Sequence, residues 1–267
     1  MPLEDRAGHS VWSQIYGTGP RPALAIHCSL AHSGAWAGVA LRLKDEISLT
    51  AFDLPGHGRS ADWSGTDFLT EAARIGASFV QEPVDLIGHS FGAVAALRLA
   101  IAAPDAIRTL TLIEPVLFAA AKGHPEWDQY LDASAPFDLA MAEGRAEDAA
   151  AAFTQMWGSG VDWDELTAET RTDLTQRIHL IGAGYAALFE DSGGILDPDA
   201  LESLDMPVLL IRGDRSPPVI ERIAEEIAAR LPDVGVATVP EAAHMVPITH
   251  PDEVAGLIRV NLERADH

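Results

Sequence analysis

Val84-Asp85-Leu86-Ile87-Gly88-His89-Ser90-Phe91-Gly92, running on into Ala93–Ala103, is the stretch on which the reading of this chain turns. Val84–Gly88 is a short, largely apolar run, as expected of a strand buried on both faces. Phe91–Ala103 has helical spacing and stops at Pro104. Between them, Gly88-His89-Ser90-Phe91-Gly92 matches G-x-S-x-G. In a strand–turn–helix context the pattern has a steric reason. The serine occupies a strained tight turn in which flanking side chains would collide, so the flanking positions are glycine. The turn lifts the hydroxyl clear of the sheet and sets it at a helix N-terminus, where the dipole and free N–H groups favour developing negative charge. The plainer alternative is a glycine-rich connection whose serine only caps the helix.

The same alternation extends outward on both sides. Val11–Tyr16, Ala23–His27, Ser48–Asp53 and Thr109–Glu114 read as strands, with helices at Ala35–Leu43 and Phe68–Val80. Strands alternating with helices at this spacing predict a mostly parallel central sheet with helices on both faces. From Phe118 to about Asp197 only helical patterns remain: Phe137–Trp157, Leu166–Ile181 and Tyr185–Glu190. Alternation resumes with a strand at Pro207–Arg212, a helix at Val219–Leu231, a strand at Val234–Val239 and a helix at Asp252–Arg264. The expected organisation is an α/β core formed by 1–117 and 197–267, with an inserted helical cap at 118–196. Such a cap would cover the C-terminal strand ends, where open α/β sheets bind ligands.

Composition narrows the function classes. The chain has 267 residues, 48% hydrophobic and 22% charged, enough for a full core without disulfide or metal staples. Its net charge of −22 opposes nucleic-acid backbones and anionic membrane surfaces, so neither is an expected partner. The single cysteine, Cys28, precludes an intrachain disulfide and suits a reducing compartment. Met1–Ser10 lacks the apolar run of a signal peptide, and no apolar run approaches a membrane span. The expectation is a cytoplasmic protein, with a homodimer left open. Lys44 and Lys122 are the only lysines; with the many alanines, this suggests a GC-rich bacterial genome.

Three further motifs join the first. His27-Cys28-Ser29-Leu30 follows the strand read at Ala23–His27, Asp53-Leu54-Pro55-Gly56-His57-Gly58-Arg59-Ser60 forms a turn, and His244-Met245-Val246-Pro247 is followed by His250-Pro251. In this order they resemble, over nearly the whole chain, the α/β-hydrolase superfamily, in particular its serine-nucleophile, cap-bearing members. In that family the first motif is usually His-Gly-x, the second D-x-P-G-x-G-x-S, and the third the loop of the catalytic histidine. The resemblance implies Ser90 as nucleophile and His244 as the base that takes its proton and returns it to the leaving group.

The acid is open. The usual G-x-x-D after the strand at 207–212 reads Gly213-Asp214-Arg215-Ser216, so the expected position holds Ser216. Glu114, at a strand end, is the preferred substitute, and Asp214 is the alternative. Either keeps the order serine, acid, histidine. Oxyanion donors are expected from the backbone amides of Phe91 and, by resemblance, Ser29. Cys28 stands where the family usually has glycine and is read as a buried, inert thiol, unless a charged His27 lowers its pKa. Leu30, Trp36 and Met245, flanking the site, and Trp127 and Trp157, within the insertion, are the pocket candidates. The aromatics of the insertion could equally pack its helices together.

The resemblance thus implies a serine hydrolase of the ester-bond class (EC 3.1), cleaving small, largely apolar esters or thioesters through an acyl-enzyme, with no cofactor and no metal. Serine at the elbow argues against carboxylate-nucleophile chemistries. Carbon–carbon bond hydrolysis, lactone hydrolysis and cofactor-free perhydrolysis could use the same residues, and a non-catalytic small-molecule sensor could keep the same shell.

Overall fold

The computed structural model describes residues 3–265. Met1, Pro2, Asp266 and His267, which the leader reading and the core bounds include, lie outside the described residues. Seven strands form the main sheet: β3 (Ser13–Tyr16), β4 (Arg21–Ile26), β5 (Ile47–Phe52), β6 (Val84–His89), β7 (Ile107–Ile113), β8 (Val208–Gly213) and β9 (Val234–Val239). Their order is β3-β5-β4-β6-β7-β8-β9, with β3 antiparallel to β5 and every other pair parallel.

Period-two alternation sorts the sheet residues between two cores. Leu24, Ile26, Leu86 and Leu112 pack with helices α2 (Phe68–Ala77), α3 (Phe91–Ala102) and α9 (Pro218–Ala228). Ala23, Ala25, Ile87 and Ile211 face α1 (Ala37–Arg42) and α11 (Pro251–Arg264) on the other side. Alanines in β4 on this second face leave room for Trp36, Val39 and Leu43, all fully buried.

Two local readings differ from the structure. A hairpin, β1 (Glu4–Arg6) with β2 (His9–Val11), precedes the sheet. Its strands are too short and too polar to show alternation, and the chain reverses at Ala7 and Gly8, both at positive φ. The expected strand Val11–Tyr16 is therefore divided: Val11 ends β2, and the backbone of Trp12, between the two strands, bonds instead to Asp53 and Ser60.

Residues 118–196 are helical throughout, but not with the expected breaks. Phe137–Trp157 is not one helix. α4 (Pro125–Ala142) and α5 (Ala146–Trp157) are separated at Gly144, which takes φ +70°. α4 starts twelve residues before the expected Phe137, with Pro125 in its first turn, where no N–H is needed; Pro136 sits mid-helix on an exposed face. Leu166–Ile181 divides into α6 (Ala168–Arg177) and α7 (His179–Ala183), and α8 (Tyr185–Glu190) follows. The chain then returns through β8, α9 and β9 to a short α10 (Val246–Thr249) and α11. Among the described residues no helix is long and apolar enough to cross a membrane.

Candidate active site

Ser90 stands between the last residue of β6 and the first of α3, at φ +57° and ψ −119°. This backbone is costly for a residue with a Cβ, and the packing around it enforces it. A Cβ on Gly88 would lie 2.3 Å from the carbonyl oxygen of Gly92, and one on Gly92 would lie 2.2 Å from that of Ile26. The two glycines let strand, turn and helix close on one another. The Ser90 amide donates to the Ile113 carbonyl at the end of β7 (2.8 Å), which fixes the turn to the neighbouring strand. Although Ser90 occupies the N-cap position, its hydroxyl makes no capping bond and stays free for another partner.

That partner is His244, in the loop after β9. Its Nε2 lies 2.9 Å from Ser90 Oγ and its Nδ1 2.9 Å from Glu114 Oε2. The three side chains are almost fully enclosed, with Ser90 the most accessible at 7%. Glu114 follows β7, also at positive φ (+52°), and its amide donates to the Ile211 carbonyl of β8 (2.8 Å). Its second carboxylate oxygen, Oε1, accepts the Gly213 amide (2.6 Å) and the Ser216 hydroxyl (2.8 Å). Ser216, noticed in the sequence only as a missing acid, thus donates to the Glu114 carboxylate. Asp214 is exposed and points to no histidine; its amide bonds to Val239.

The other buried histidines, His27, His57 and His89, bond to the backbone. His89 Nε2 meets the His244 carbonyl oxygen at 2.8 Å, holding the loop, and burial beside His244 lowers its pKa to about 3. His27 accepts the Leu54 amide on Nε2 (2.9 Å) and donates from Nδ1 to the Cys28 carbonyl (2.7 Å). Burial, reinforced by His57, lowers its pKa well below the usual imidazole value. It therefore offers Cys28 no positive charge, and burial pushes the Cys28 thiol up to about 12. His57, stacked near Phe68, is lowered to about 4, chiefly by burial. His250 precedes α11 at its N-cap position.

Over Ser90 opens a cavity of about 480 Å³. Ser29, Phe91 and Met245 line its floor, and α4, α5 and α8 supply aromatic walls that include Trp127 and Trp157. The Trp157 ring stands edge-on to His244 at 4.7 Å. The backbone amides of Ser29 and Phe91 have no protein acceptor among the described residues. Two pocket candidates need correction. Trp36 is 1% exposed in the core beneath the sheet, against α1 and α11, because the 3-10 turn that carries it faces away from the strand ends. Leu30, at φ +61°, packs against the helical cluster of Ala140, Ala149, Ala150 and Ile178 and does not line the cavity. Cys28, in contrast, does line it.

Residues 23–257 match the model of the alpha/beta hydrolase family, and the chain belongs to that family. It is 32% identical to a lipase, LipV, of Mycobacterium tuberculosis, over 93% of this chain and 96% of that one. It is 30% identical to a pimeloyl-[acyl-carrier protein] methyl ester esterase of Methylococcus capsulatus, over 91% and 94%. Among solved structures, an alpha/beta hydrolase from Sphaerobacter thermophilus shares the fold, with a TM-score of 0.70 at 24% identity over 98% of both chains.

Proposed function

We propose that this protein is a serine hydrolase that cleaves small, largely apolar carboxylic esters or thioesters, with residues 118–196 acting as a cap on a core of 1–117 and 197–267. The observation that carries the reading is the continuous relay from Glu114 through His244 to Ser90, 2.9 Å at each link, opening on an apolar cavity. The names of the two relatives, lipase and methyl ester esterase, support the same bond class.

In this reading His244 Nε2 takes the Ser90 proton as Oγ attacks the substrate carbonyl. Glu114 holds the imidazole in the tautomer with its proton on Nδ1 and stabilises the imidazolium that forms. The free amides of Ser29 and Phe91 receive the oxyanion; a donor of this kind is worth about 3–4 kcal/mol of barrier. The imidazolium returns its proton to the departing alcohol or thiol. Water, deprotonated by the same His244, then attacks the acyl carbonyl and releases the acid and free Ser90. The enzyme works in a bacterial cytoplasm, a placement supported by its lone cysteine and the bacterial origin of both relatives.

A fluorophosphonate probe tests the reading. Covalent labelling that disappears in Ser90→Ala is expected, together with turnover across a p-nitrophenyl ester series from acetate to decanoate. An unlabelled protein that is nevertheless stabilised by ligands would make it a sensor. Acyl-CoA thioesters and a lactone in the same assay sort the leaving groups.

A further inference from the structure

The cavity over Ser90 is nearly devoid of charge, and the one formal charge in its wall is negative. α4 turns a single face to it: Trp127, Tyr130, Ser134, Phe137, Asp138 and Met141 recur at helical spacing. This stripe covers about 21 Å of helix rise. The Asp138 carboxylate accepts the Ser134 hydroxyl at 3.0 Å and has no cationic partner among the described residues. No lysine or arginine lines the cavity, and His244 is committed to Ser90 and Glu114. Tyr130 is no substitute cation: burial and the nearby Asp138 push its phenol up, so it remains a neutral hydroxyl. The surrounding segment adds to the same field, since residues 118–196 carry 14 acidic against 4 basic side chains.

We infer that Asp138 is a specificity-determining residue that makes the site accept acyl chains with an uncharged or cationic far end and reject chains ending in a carboxylate. The inference rests on the ester-hydrolase reading and names its substrate class. The reason is desolvation. An acyl chain seated in the cavity gives up water along its length, which an apolar chain does with a gain. A terminal carboxylate gives up hydration in the apolar cavity for no ion partner, and where it reaches Asp138, which is exposed to solvent, it faces a like charge. A terminal cation finds Asp138.

Three p-nitrophenyl esters of matched length test this: the mixed methyl ester of adipate, the free half-acid of adipate, and 6-trimethylammoniohexanoate. The expected kcat/KM of the half-acid is at least tenfold below that of the methyl ester, with the cation equal to or above it. Asp138→Asn should shrink the neutral-to-anion ratio at least fivefold and Asp138→Lys should invert it; melting curves verify that both variants are folded. Equal rates for the half-acid and methyl ester in the unaltered enzyme, or a ratio indifferent to both substitutions, overturn the inference. Should none of the esters turn over, the ester reading fails separately. Thermal shifts of Ser90→Ala with the three compounds then read the charge preference directly: stabilisation by the half-acid equal to that by the methyl ester would refute it.

Discussion

Ser90, Glu114 and His244 are held in a different manner from the side chains that roof them. The first three sit beyond the ends of β6, β7 and β9, and directional bonds fix them: the Ser90 amide to Ile113, the Glu114 amide to Ile211, the Gly213 amide to Glu114, and His89 to the His244 carbonyl. The aromatic side chains of the roof meet through ring contacts, while polar contacts such as Arg222–Glu126 and Arg177 to the Gly58 carbonyl tie its helices to the core. Phe118 stacks on Tyr130 at 4.4 Å and on Phe189 at 4.7 Å, and Tyr185 stacks on Phe189 at 4.7 Å. Hydrogen bonds demand one geometry, whereas apolar contacts tolerate exchange at similar volume. A fold built this way can keep its chemistry while its choice of ligand drifts.

The contrast breaks most visibly at the acid. Glu114→Gln keeps the shape but loses the charge and the tautomer control, so kcat for an activated ester should fall about 10³–10⁴-fold, while Asp214→Asn stays within about twofold. A large loss in Asp214→Asn alone would reverse the assignment. The two regions should differ next in their tolerance of a single methyl. Gly88→Ala drives a Cβ into backbone and should cost about 3 kcal/mol or more by urea denaturation. Gly182→Ala, in α7 with nothing within 4 Å of its Cβ, should be neutral or stabilise by about 0.5 kcal/mol.

Acid sharpens the comparison further, because His27, His57 and His89 all lie in the sheet-bearing part and are kept neutral there. In the unfolded chain they take up a proton near pH 6.5; in the folded protein His57 does so at about 4 and His89 at about 3, and His27 well below its ordinary value. Between these values the unfolded state binds more protons, so stability falls as pH falls. By pH 5 His57 and His89 should each have cost about 1–2 kcal/mol, and an unfolding free energy that is flat from pH 7 to 5 would contradict this. The smallest effect concerns Ser216. Removing its hydroxyl in Ser216→Ala leaves Glu114 with the Gly213 amide and His244. It should lower kcat/KM about three- to tenfold and move the acidic limb of the pH–rate profile, a change a purely structural role would not produce.

How far the chain could be read follows the same division. The β6–turn–α3 unit was legible because its glycines answer a local clash and its strand and helix have opposite periods. The sequence preferred Glu114 without excluding Asp214: both stand at strand ends, and only the paired registers of β7 and β8 decide which carboxylate faces the histidine loop. The directions in which Trp36 and Cys28 point were closed to the sequence for a related reason. Both flank the loop after β4, and the direction of a side chain in an irregular loop leaves no periodic trace. In the helical segment, Gly144 hid a helix end inside an apolar pattern, while Pro136 sits on an exposed face of α4 without ending it.

The left-handed backbone at Ser90 has one more consequence. Glycine adopts φ +57° freely, so Ser90→Gly should raise the melting temperature of this protein even as it silences it. A laboratory selection for heat resistance alone would drift toward that inert variant, so any such campaign must score turnover in every round.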